Sequence, residues 1–229
     1  MPLPVSEKRF LQFGAVCSAA LALTTFLLWL LPQYVGPADT FERRLSLAHD
    51  PYNLARLWVT FVHMFLGLAA YYATYRVLRE KAPGFAGLGL LCFVVWALIE
   101  LLAVSFNLFA VNGTWRAGYA AANADTQALY RSYLGAWAGV WEALYFLLAF
   151  AYLLGSLFLG GVALADRQNR ATRGVGALIL MGGAISAAFL ISGYGGSAWP
   201  GEIAGAVYPV FQPAARALMA VWLFRSALH

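Results

Sequence analysis

The chain has 229 residues, 62% of them hydrophobic and only 11% charged, against roughly 45–50% and 25% in a typical soluble domain. Its formal charge of +5 is scattered over helix-flanking positions, with no basic stripe of interleaved aromatics, which argues against a nucleic-acid partner. Six apolar stretches fill most of the length, and at ~20 residues per crossing they leave no room for a separate soluble domain.

The pattern predicts an all-α, polytopic membrane helix bundle, a single domain over 1–229 with six transmembrane helices near 10–32, 55–78, 85–111, 131–165, 174–195 and 203–226. The first stretch, Phe10 to Leu31, follows Lys8 and Arg9. It is longer than the ~7–15 apolar residues of a signal peptide and lacks a small-x-small cleavage site, so it is expected to remain as a span. Asp39 to Ala48 reads as a short interfacial helix started by Asp39 or Thr40 and ended by Pro51. The fourth span is too long for one perpendicular crossing and should tilt or project. The alanine-rich segment Gly118 to Leu129 before it permits a surface helix or a lid.

In the fourth and fifth spans Gly155, Gly160, Gly161, Gly182 and Gly183 form small-residue faces suited to close helix contact. In the last span Pro209 and Pro213 each remove an amide donor, which predicts a kink or a break with carbonyls freed near Gly205 and Pro209. The two cysteines, Cys17 and Cys92, lie within spans without ligand spacing and read as buried thiols.

Nine basic residues fall on the side of the termini, among them Lys8, Arg79, Lys81, Arg170 and Arg225, and five on the other, among them Arg43, Arg56 and Arg116. By the positive-inside bias both termini are expected in the cytoplasm. The basic residues are nearly all arginine, with Lys8 and Lys81 the only lysines, and alanine is abundant. This composition points to a bacterial source and hence to the inner (cytoplasmic) membrane.

Ionisable residues inside the spans pose the functional question, because a charge at mid-bilayer costs at least ~2.5 kcal/mol on insertion scales. Arg56, Thr60, His63, Gly67, Ala70 and Thr74 share one face of the second helix, and Trp96, Glu100, Ala103 and Asn107 one face of the third. Ala138, Glu142, Tyr145, Ala149, Tyr152 and Ser156 align on the fourth, and Glu202, Gly205, Pro209, Gln212 and Arg216 on the last. Stripes facing lipid would be costly, so all four are expected to turn inward. The candidate ligand-binding or proton-coupling residues are therefore His63, Glu100, Asn107, Glu142, Tyr145, Gln212 and Arg216, with Glu100, Glu142 and Arg216 expected as one coupled cluster. The competing expectation is structural: interhelical polar contacts of this kind average only ~0.6 kcal/mol and serve as packing.

The last helix, Phe211-Gln212-Pro213-Ala214-Ala215-Arg216-Ala217-Leu218-Met219-Ala220-Val221-Trp222-Leu223, and the acidic third span, Ala97-Leu98-Ile99-Glu100-Leu101-Leu102, resemble a family of bacterial six-helix integral membrane proteins whose domain is of unknown function. The resemblance implies a six-helix fold and no activity. The chain departs from that family's pattern at Arg216, where an acidic residue is more usual.

Three functions stay open. The first is binding or transport of a small molecule, lipid or proton through a polar chamber open to the outer side. The second is an intramembrane enzyme acting on a lipid or isoprenoid, with His63 and the glutamates as acid–base groups. The third is an accessory subunit that stabilises a larger membrane complex as a partner of other membrane proteins. Three histidines, His49, His63 and His229, cannot build a di-iron cluster. A Glu/Glu/His set is the one metal site these residues could form, and no metal or cofactor is assigned.

Overall fold

The computed structural model describes residues 4–228, so His229 lies outside it, and among the described residues all regular structure is helical. Helix α1 spans Val5–Leu30, followed by a single turn, α2, at Pro32–Val35, which Gly36 ends with a φ of 70° that favours glycine. Helix α3 is Phe41–Ser46, opened by Thr40, whose hydroxyl accepts the Arg43 N–H at 3.2 Å. Pro51, expected to close that helix, instead occupies the first turn of α4 (Pro51–Leu78), where its missing N–H costs nothing and the Asp50 carboxylate accepts the Asn53 N–H at 2.9 Å.

Helix α5 (Pro83–Phe106) does not stop at the expected boundary but runs on as a π-helical segment, Asn107–Arg116, and a 3₁₀ turn at Tyr119–Ala121. Two asparagines support the wider winding: Asn107 Nδ2 donates to the Ala103 carbonyl at 3.1 Å and Asn112 Nδ2 to the Asn107 carbonyl at 2.9 Å. The segment read as a surface helix or lid is divided between that turn and the start of α6 (Ala124–Leu164), which Asn123 caps. Helices α7 (Arg170–Tyr194) and α8 (Trp199–Leu228) complete the chain. Helix α8 runs through Pro209 and Pro213 without a break, the second of the two alternatives expected there.

Five helical stretches are long and apolar enough to cross a membrane: Val5–Val35, Pro51–Leu78, Pro83–Ala121, Ala124–Leu164 and Arg170–Tyr194. Helix α8 is as long, but Glu202, Gln212, Arg216 and its prolines lower its apolar character and it is not among the five.

The six long helices form a closed ring in chain order. Helix α1 packs on α4, α4 on α5, α5 on α6, α6 on α7, α7 on α8, and α8 returns to α1. Consecutive members run in opposite directions. The start of α1 and the end of α4 are joined by the Arg76–Glu7 ion pair, and the two tight connections at the same end by Lys81–Asp166. Lys81 holds the Asp166 carboxyl below the usual carboxylate range, helped by the Gln168 and Asn169 amides that donate to it at 3.0 and 3.3 Å.

Close approach of helices follows the small residues. A Cβ on Gly176 of α7 would press on the backbone of α6 at Leu164 N and lie 2.8 Å from the Gly160 carbonyl, while one on Gly89 of α5 would lie 2.9 Å from Leu159 N. A Cβ on Gly161, grouped with Gly155 and Gly160 from the sequence, would meet nothing within 4 Å.

Aromatic rings fill the half of the ring nearest the termini. Tyr71 and Phe93 stack at 3.7 Å between centroids, and Trp96 and Tyr152 meet them edge-on. Helix α6 behaves differently along its length: its 41 residues extend ~60 Å at 1.5 Å per residue, and none before Leu148 is buried. Its first half is packed on one side, against the end of α5 and its π-helical extension, where Trp137 stacks on Phe106 at 4.5 Å between centroids and Trp115 meets Tyr133.

Candidate functional site

Above the aromatic floor the ring encloses a cavity of about 380 Å³ to which all six long helices contribute. The helical stripes account for its polar lining: Arg56, Thr60 and His63 from α4, Glu100 from α5, Tyr145 and Tyr152 from α6, and Gln212 and Arg216 from α8. Helix α7 adds Gly182 and Ser186, and Leu28, Met64, Leu148, Ile185 and Phe189 supply apolar wall. A second cavity of about 250 Å³ shares Arg56, Thr60 and Glu100 with the first and continues toward the α5–α6 connection, where Asn107, Arg116 and Trp137 line it.

Arg216 sits on the aromatic floor, 5% exposed, and its Nη1 donates to the Tyr71 hydroxyl at 3.3 Å. The Tyr71 and Tyr152 hydroxyls are 3.2 Å apart, so the guanidinium begins a short polar chain. Its backbone is held as well, because the Ser18 hydroxyl of α1 donates to the Arg216 carbonyl at 2.8 Å. His63 is equally buried, with Nδ1 2.8 Å from the Thr24 hydroxyl, which leaves Nε2 as its second polar atom.

Of the residues expected at a site, His63, Glu100, Tyr145, Gln212 and Arg216 line the first cavity and Asn107 the second. Asn107 is further fixed by accepting the Trp137 indole N–H at 3.3 Å. Glu142 is not with them. It is exposed and lines neither cavity, and the chain there is anchored through its backbone, whose carbonyl accepts the Tyr194 hydroxyl at 2.7 Å. Ala138 of the same stripe, together with Trp137 and Trp141, lines the second cavity, so on α6 it is Glu142 alone among the expected positions from Ala138 to Tyr152 that is exposed and outside both cavities.

The expected Glu100–Glu142–Arg216 cluster is accordingly not assembled. Among the described residues the ion pairs within 4 Å are Arg43–Asp50, Arg76–Glu7 and Lys81–Asp166, and none involves a residue of these two cavities. Glu100 feels the charge of Arg56 across the cavity, while Arg216 is surrounded by tyrosines. With Glu142 apart, the Glu/Glu/His set does not form, and among the described residues no three His, Cys, Asp or Glu side chains are grouped to hold a metal.

Sequence reasoning missed several contributors. Arg56, on the stripe expected to turn inward but not among the candidate binding residues, and Arg116, read from the sequence only for topology, both line a cavity. Ser18 and Thr24 of the first span went unremarked, although hydroxyls in an otherwise apolar run were the available signal. Compared with family models, curated proteins and solved structures, the chain matches none of them.

Proposed function

We propose that this chain is a multi-pass protein of the bacterial inner membrane, with α8 as a sixth span and both termini cytoplasmic, that binds or transports a small molecule, lipid or proton through the chamber. The observation that carries this reading is the cavity of about 380 Å³ at the centre of the ring, lined by buried His63, Gln212 and Arg216 together with Glu100. Concave sites of ~300–1,000 Å³ with apolar walls and a few convergent polar groups are the usual form of a ligand pocket. In a bilayer, polar groups gathered around a cavity are those that line substrate or proton pathways. The aromatic floor favours entry from the end away from the termini, which the basic-residue bias places outside.

Native mass spectrometry of the protein released from mild detergent tests this, with Ala149→Phe as the comparison, since Ala149 lines the cavity and a phenyl ring would fill it. A bound small molecule or lipid is expected on the wild type and not on the variant. Identical spectra for the two proteins would refute a central ligand chamber.

A further inference from the structure

The charges around the chamber do not balance. Arg56, Arg116 and Arg216 line the two joined cavities against a single carboxylate, Glu100, which leaves two positive charges in excess. Arginine cannot shed its charge within a protein, so the excess does not disappear by deprotonation. Each guanidinium also has donors to spare. Arg56 gives one hydrogen bond to Asn53 Oδ1, Arg116 one to Asn112 Oδ1 and Arg216 one to the Tyr71 hydroxyl, all neutral acceptors, out of five N–H donors on each group. Five buried side-chain polar atoms lack a hydrogen-bond partner among the described residues, and three of them are the Nε atoms of these arginines.

Resting on the chamber reading above, we infer that the chamber receives an anionic group, a phosphate or carboxylate, held between Arg216 at the floor and Arg56 nearer the mouth. A planar guanidinium fork matches the oxygen geometry of both anions. An anion there would offer acceptors to the spare N–H donors of Arg216 and Arg56 and offset the excess positive charge, which the fixed groups of the chain do not do. The apolar walls, Met64, Leu148, Ile185 and Phe189, suit an attached hydrocarbon, so an amphiphile with an anionic head is the ligand the lining fits as a whole. A free anion from water has the same head chemistry without the tail.

The purified protein in neutral detergent is titrated with dodecyl phosphate, inorganic phosphate and dodecyltrimethylammonium, and binding is measured by calorimetry for wild type, Arg216→Gln, Arg56→Gln and Ala149→Phe. Dodecyl phosphate is expected to bind the wild type at one site, at least tenfold more weakly to each arginine variant, and not to Ala149→Phe. Arg56 is half-buried at the cavity edge, so its variant supplies the answer if loss of Arg216 prevents folding. Inorganic phosphate binding as tightly as dodecyl phosphate would support the anion site and assign a soluble source; much weaker binding assigns the membrane amphiphile. Preference for dodecyltrimethylammonium, lost in Ala149→Phe, overturns the anion inference and leaves the chamber intact. Equal binding of dodecyl phosphate to all four proteins overturns both, and no binding of any probe to the wild type overturns the anion inference.

Discussion

Gly176→Ala tests whether the ring is closed by backbone contact between α6 and α7. The new methyl would meet Leu164 N, Gly160 O and the Ala163 carbonyl carbon, all main-chain atoms of the facing helix. No rotamer change relieves such a clash, so the helices must separate. Overpacking of this kind costs ~1–3 kcal/mol, and a clash against backbone belongs at the upper end. The same change gains ~0.8–1 kcal/mol of helix propensity, for a net loss of about 2 kcal/mol. Gly174→Ala, two residues away on the same helix, meets nothing within 4 Å and keeps only the gain. Because the propensity gain is common to both variants, their difference isolates the packing cost at about 3 kcal/mol. Parallel unfolding of both variants and the wild type in one detergent measures it. Gly176→Ala as stable as Gly174→Ala would refute direct backbone contact at this crossing.

Four further outcomes are expected. Glu100→Gln should alter ligand binding, whereas Glu142→Gln, exposed and outside both cavities, should leave binding and stability unchanged; the same titrations read both. Tyr71→Phe removes the one hydrogen-bond acceptor of the Arg216 side chain among the described residues and should destabilise by roughly 1.5–3 kcal/mol, the range for bonds to charged groups, seen as an earlier unfolding midpoint. Asp166 has its pKa lowered by Lys81, so the pair stabilises the folded chain above the unfolded carboxylate value of ~3.9 and loses that contribution as pH falls through the lower folded value; the stability difference between wild type and Asp166→Asn should shrink over that acid range and stay flat above it. With Cys17 and Cys92 replaced, single cysteines at Ala82 and Asn169 should resist an impermeant thiol reagent in intact cells and one at Asn123 should label; the reverse pattern would invert the proposed orientation.

Residues that face a neighbour along their whole helix were legible in the sequence. On α4 the stripe from His63 through Gly67, Ala70 and Thr74 is buried as its spacing requires, and on α5 Trp96 and Ala103 are buried with Glu100 beside them. Periodicity fixes which residues share a face, but it does not say where around the helix the buried arc of that face ends. Glu142 lies at the edge of the inward arc of α6: Trp141 beside it and Ala138 a turn farther out line the second cavity, while at ~100° per residue Glu142 is turned about 60° from Tyr145 and is exposed. Charge partners failed for a related reason. Opposite signs at similar depth suggested Glu100 with Arg216, yet depth says nothing about position around the ring, and the order of packing brings Glu100 to Arg56 on the adjacent helix.

The ring also explains why a chamber exists at all. Six helices packed only on their sequential neighbours, with slight contact across the middle from α4 to α6 and α8, leave an axial space that side chains must fill. Near the termini they do, with the stacked Tyr71–Phe93 pair, Trp96 and Met219. Farther along, the inward positions hold small or polar residues such as Thr60, Ala149, Gly182 and Ser186, whose volumes are too small to meet across it. Enlarging Ala149 should therefore be tolerated, in contrast to Gly176 at the helix crossing. Ala149→Phe is expected to keep wild-type stability or gain it while losing any occupant, because burying more apolar area in a cavity favours the fold at ~25 cal/mol per Å². A large loss of stability in ligand-free protein would mean that the space is already packed, and the reading of the ring as a chamber would fall with it.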